Sequence, residues 1–101
     1  MSLEDDLTAL LRATCEATRE HGYVDTELLQ MLGEVGGLAA AKRLLAKWTH
    51  HEGLYRLLDL RLLHESLEAV VWDNPRFHPL FTESELGIAW RRLDELGYFE
   101  K

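Results

Sequence analysis

One cysteine, Cys15, is all that the 101 residues carry. That excludes an internal disulfide and suits a reducing compartment. No apolar run approaches membrane-spanning length, so no membrane partner is expected. The acidic amino-terminal stretch lacks an apolar signal core, which makes the expected location cytoplasmic. A phosphate loop is missing too. Gly33, Gly36 and Gly37 have the wrong spacing for a Walker or dinucleotide motif, and no strand pattern precedes them. His50 and His51 are sequence neighbours, and neighbours on a helix do not face one another as a zinc pair must. His21, His64 and His78 are scattered, and no second cysteine could complete a ligand set. Cys15 stands four residues after Leu11, where a small core residue belongs, and nothing nearby marks a thiolate. There is no nucleophile with its base and no pair of carboxylates set into a pocket pattern. The expectation is a non-enzymatic protein with no catalytic residue, no cofactor and no metal.

Basic charge is also scarce. Eleven Lys and Arg face eighteen Asp and Glu, a net of -7. The distribution is uneven: residues 1–34 hold eight acids and two bases, net −6. Residues 35–63 hold two acids and five bases, net +3, and residues 64–101 hold eight acids and four bases, net −4. Acidic ends repel nucleic acid and attract a basic protein surface.

What is present is apolar residues at helical spacing. The 47% hydrophobic content supports a folded globule, and the length points to one domain, residues 1–101. A first helix is predicted from Leu3 to His21, with Ser2 and Asp5 as a capping box and Leu3, Leu7, Leu10, Thr14 and Ala17 as its stripe, widened by Leu11 and Cys15. Gly22 stops it. Asp25 caps a second helix carrying Leu28, Leu29 and Leu32, and Gly33 is expected to end it. Gly36 and Gly37 then allow a tight reversal into a third helix from Leu38, with Ala41, Leu44, Leu45 and Trp48 on its apolar side. The leucine-rich Gly53–Leu63 stretch reads as a short helix ending near Leu60 or Arg61, followed by a new start at Ser66. One continuous helix from Gly53 to Trp72 is the alternative. Pro75 ends that segment, because it disfavours helical geometry at Asn74. A loop over Arg76–Leu80 follows, anchored by Phe77. The last helix opens with Thr82 and Glu85 as a capping box and Phe81 and Leu86 as a hydrophobic staple. Its stripe is Leu86, Ala89, Trp90, Leu93 and Leu96, Gly97 stops it, and Gly87 reads as a mark of close contact with another helix. No strand pattern or repeat appears. The expected fold class is all-α, a compact single-domain array of about five to six helices.

Several stretches resemble a family of small uncharacterised bacterial all-helical domains, sometimes found beside nuclease or restriction-type domains. They are Leu29-Gln30-Met31-Leu32-Gly33-Glu34, Gly36-Gly37, Ala41-Lys42-Arg43-Leu44-Leu45, Glu52-Gly53, Leu67-Glu68-Ala69, Leu80-Phe81-Thr82-Glu83 with Glu85-Leu86, Arg92-Leu93 and Gly97-Tyr98. The resemblance covers most of the chain in order. It carries no assigned activity, so it implies no catalytic residue. At Arg61 the chain departs from a pattern that tends toward glycine.

Three functions follow as expectations. The first is a protein-interaction module, with Trp48 and Trp72 at the rim of the core as aromatic anchors. The resemblance implies an accessory or regulatory role in a bacterial or phage defence or counter-defence setting. The second is an acidic, nucleic-acid-mimicking inhibitor of a DNA- or RNA-acting enzyme with a basic surface, as an anti-CRISPR or anti-restriction protein would be. Its carboxylates would be Glu4, Asp5, Asp6, Glu16, Glu20, Asp25 and Glu27. The third is a helix-turn-helix carrying Lys42, Arg43 and Lys47 to DNA, against the acidic setting. A homodimer is compatible with all three.

Overall fold

Helix α1, Leu3–Glu20, starts on the predicted capping box. The Asp5 N–H donates to Ser2 Oγ at 3.1 Å, and the Ser2 N–H donates to the Asp5 carboxylate at 3.4 Å. The computed structural model describes residues 2–47 and 52–100. The buried side of α1 is Leu7, Leu11, Thr14, Cys15 and Thr18, so it is centred on the Leu11–Cys15 flank of the predicted stripe. Thr14 and Thr18 sit there because their hydroxyls donate to the carbonyls of Leu11 and Cys15, at 2.9 and 3.0 Å. Gly22, at φ +87°, turns the chain, and the Tyr23 N–H returns to the Thr18 carbonyl.

Helix α2 spans Thr26–Leu45, with the Asp25 carboxylate accepting from the Leu28 N–H at 3.0 Å. The expected stop at Gly33 does not occur. Gly33 is helical, and the break falls at Gly36, which takes φ 82° and ψ 172°. A glycine costs a helix interior only about 1 kcal/mol, so Gly33 can be carried along. The Gly36 conformation, by contrast, suits only a residue without Cβ. Just past the kink, Gly37 meets α1. Its N–H donates to Thr8 Oγ1 at 2.8 Å, and a Cβ there would lie 2.7–2.9 Å from Thr8.

Helix α3, Glu52–Asp59, is followed by a turn in which Arg61, a non-glycine residue, takes φ 60°. The Leu62 N–H closes the end onto the Leu57 carbonyl at 2.8 Å. A 3-10 turn, Leu63–Glu65, leads to Ser66, whose Oγ accepts from the Ala69 N–H and caps α4, Leu67–Asp73. Two helices, not one, thus occupy the leucine-rich half. Leu67, Glu68, Ala69, Val70 and Val71 are all buried, so the first turn and a half of α4 is enclosed on every side, while Asp73 at its end is exposed. Where a loop is expected over Arg76–Leu80, residues Pro75–Leu80 form a 3-10 segment with Phe77 fully buried.

Helix α5, Glu83–Glu95, carries the expected capping box: the Glu85 N–H donates to Thr82 Oγ1 at 3.1 Å and the Thr82 N–H to Glu85 Oε1 at 2.8 Å. Gly97, at φ +75°, ends the helix, and the Tyr98 N–H donates to the Leu93 carbonyl. Gly87 has no neighbour within 4 Å of a built Cβ, so it marks open space rather than the helix contact expected of it.

The main core joins α1, α2, α4, Phe77, Phe81 and Ala89, and a smaller cluster joins Leu54, Leu63, Ala69 and Leu93. Between them, Arg92 is buried. Its Nη1 donates to Glu68 Oε2 at 3.0 Å and to the Leu44 carbonyl at 3.2 Å. Its Nη2 donates to the carbonyls of Leu45 and Lys47, at 3.3 and 2.7 Å. One guanidinium thus satisfies the open end of α2 and ties it to α4. The radius of gyration, 12.5 Å, matches the ~13 Å of a compact 100-residue domain. Among the described residues the fold is all-α, with no strand. No helix among them is long and apolar enough to cross a membrane.

Candidate functional site

At one end of α4 and α5 the chain assembles five aromatic rings. Trp72 comes from the last turn of α4, His78 from the 3-10 segment, Trp90 from α5, and Tyr98 and Phe99 from the turn that follows Gly97. The left-handed Gly97 makes this possible, because it folds the chain back instead of letting α5 run on. Tyr98 then donates its hydroxyl to the Asp73 carboxylate. Burial and that carboxylate push the Tyr98 phenol up to about 12. Phe99 stacks on Trp90, with ring centres 5.7 Å apart and planes 18° from parallel. It meets Tyr98 edge-on at 5.3 Å and Trp72 edge-on at 6.4 Å. Trp72 also faces His78, ring centres 5.6 Å apart, and His78 Nε2 lies 3.0 Å from the Trp72 carbonyl oxygen. Stacked and edge-on pairs of this kind hold rings in fixed orientations.

The cluster is not sealed. Trp90 stays 42% exposed and Phe99 37%. Trp90 was expected on the buried stripe of α5. The inward arc instead runs through Ala89, Leu93 and, on the opposite flank, Arg92, which leaves Trp90 at the edge. Asp73, Asp94 and Glu100 are exposed beside the rings in sequence. Asp94 lies one turn from Trp90 on the same helix face, and the Glu100 carboxylate folds back to 3.4 Å from the site of a Gly97 Cβ.

Of the partner-binding residues named from sequence, Trp72 alone is seen in this cluster among the described residues, and it is half-buried there. Trp48, His50 and His51 lie outside the described residues. The acidic set is dispersed. Asp5 and Asp25 are spent on helix caps. Asp6 lies 3.7 Å from Arg76, and Glu27 pairs with Lys47. Glu4, Glu16 and Glu20 are exposed on α1, with Arg12 and Arg19 exposed among them. The basic trio is similarly divided: Lys42 Nζ is 2.7 Å from Glu85 and 5.4 Å above the Phe81 ring, Lys47 pairs with Glu27, and Arg43 is exposed.

Other concavities offer less. A crevice of about 520 Å³ runs along Leu45–Lys47, Ile88, Arg91, Arg92 and Glu95, but the Arg92 guanidinium in it is already engaged by Glu68 and three carbonyls. Two voids of about 20 Å³ touch Tyr23, Asp25 and Ser66, each with room for about one water. Burial, then Asp25, pushes the Cys15 thiol up to about 11, which keeps it protonated and unreactive at neutral pH. Among the described residues no three His, Cys, Asp or Glu side chains gather as a metal would require.

Phe99 and Trp90 are the surface residues that sequence reading missed. A signal existed in Gly97-Tyr98-Phe99, two aromatic residues directly after a helix stop. Comparison with family models, curated proteins and solved structures returns no match for the chain.

Proposed function

We propose that the protein is a non-enzymatic interaction module that holds a partner protein on the aromatic face of α4, α5 and the Gly97 turn. The observation that carries this reading is the stacked pair Trp90 and Phe99, both more than a third exposed although large and apolar. Rigid aromatic groups lose little entropy on binding and are the usual anchors of protein interfaces. The face is held by Gly97, by the Tyr98–Asp73 hydrogen bond and by the packing of Trp72 and Tyr98 on the smaller core cluster. A defence or counter-defence setting is proposed on the resemblance alone, and a cytoplasmic location on the single cysteine and the acidic amino-terminal stretch.

The acidic-inhibitor reading draws less support, since four of its seven carboxylates already serve caps or ion pairs and Arg12 and Arg19 interrupt α1. Partner capture from the source cell, quantified by mass spectrometry, separates the two. Trp90→Ala with Phe99→Ala should lose the captured protein, and charge reversal at Glu4, Glu16 and Glu20 should keep it. The opposite pattern would reject the aromatic face and favour the acidic one.

A further inference from the structure

The aromatic face carries acidic side chains of its own, and their arrangement narrows what it can hold. Asp94 follows Trp90 by one helical turn. Glu100 is turned back over Gly97, next to Phe99 in sequence. Asp73 accepts the Tyr98 hydroxyl and closes the α4 side. The neighbouring Arg91 lines the crevice along Leu45–Lys47 instead. The surface is therefore an exposed indole and phenyl with carboxylates beside them, within a segment of net −4. Phe99 covers one face of the Trp90 indole, and what remains exposed is an aromatic surface with a carboxylate one turn away.

We infer that this face docks an arginine-bearing segment of the partner protein, a guanidinium stacking on Trp90 while Asp94 and Glu100 supply the counter-charge. The inference rests on the interaction-module reading and specifies its partner. Arginine fits better than lysine because its planar, weakly hydrated cation can lie flat on an aromatic ring and still hydrogen-bond a carboxylate at its edge. A second copy of the chain fits worse. A two-fold contact through this patch would bring the same carboxylates of both copies together, with no arginine of the patch to answer them.

The test uses two peptides of equal charge, nona-arginine and nona-lysine, titrated into the ¹⁵N-labelled full chain at physiological salt. Nona-arginine should bind about tenfold tighter, with the largest shifts at the Trp90 indole N–H and the amides of Tyr98 and Phe99. Trp90→Ala, checked for an otherwise unchanged amide spectrum, should erase the difference between the peptides. Glu16→Lys with Glu20→Lys on α1 should leave it intact. Equal affinities, or shifts centred on α1, would overturn the inference. So would concentration-dependent shifts at Trp90 without peptide, which would assign the face to a second copy. If partner capture still depends on Trp90 while the peptides are not told apart, the module stands and only the arginine preference falls.

Discussion

A single methyl group sorts the glycines of this chain into two kinds. Gly87 lies inside α5 with nothing within 4 Å of a built Cβ. Gly87→Ala should therefore raise stability by about 1 kcal/mol, the helix-propensity difference, read as a higher urea midpoint at unchanged slope. Gly37 is the reverse case, because a Cβ there would press to within 2.9 Å of the Thr8 backbone. Gly37→Ala should lower stability by about 1–3 kcal/mol, as overpacking does, since α1 and α2 must part to admit it. Arg61 poses the opposite problem: a side chain occupies φ 60°, where L-residues are strained by roughly 1–2 kcal/mol. Arg61→Gly should raise the urea midpoint, an increase of about 1 kcal/mol.

Among the elements, α5 meets the rest through Ala89 and Leu93 in the two core clusters and through the buried Arg92. The residue is 7% exposed and Glu68 is 4%. Burying two charges is costly, and the pair is tolerated because every contact is a charge-assisted hydrogen bond and three of them satisfy carbonyls at the end of α2. Removing one member leaves the other buried and unpaired. Arg92→Met should cost about 3–5 kcal/mol. Adding Glu68→Met should recover part of that loss, so a double-mutant cycle by urea denaturation should return a coupling of about 1–3 kcal/mol. Strictly additive losses would mean that the two groups do not act together. Neither residue announced itself in the sequence, where Glu68 and Arg92 are two charges among 29% charged residues.

For the molecule as a whole, the charge balance sets the expectation for nucleic acid. The +3 segment is partly neutralised in place, Lys42 by Glu85 and Lys47 by Glu27, inside a chain of net -7. Few phosphates could be neutralised, so few counterions would be released. Duplex DNA should bind no tighter than about 10 μM at physiological salt, within the non-specific range. Fluorescence titration of a labelled duplex at several salt concentrations measures this. Tight binding with a steep salt slope, lost in Lys42→Ala with Arg43→Ala, would restore the helix-turn-helix reading.

The local signals were legible because they act over three or four residues. The Ser2–Asp5 and Thr82–Glu85 boxes, the Ser66 and Asp25 caps and the Gly22 and Gly97 stops all stand where sequence placed them. With the apolar periodicity, they were enough to determine an all-α class and most helix ends. Gly33 and Gly36 were not distinguishable that way, since either could stop a helix, and the choice falls to Gly37, which seats α2 against Thr8. The same limit applies to the surface. Helical spacing placed Trp90 on the apolar stripe and Arg92 off it. Tertiary packing reversed them, because α4 presents Glu68, and α2 with the residues just past its end presents three carbonyls, to the Arg92 side, whereas Phe99 returns from the Gly97 turn to meet Trp90 outside. Which side chain is buried at the edge of a helical stripe depends on the partner groups that long-range packing brings to it, and periodicity alone carries no record of those partners.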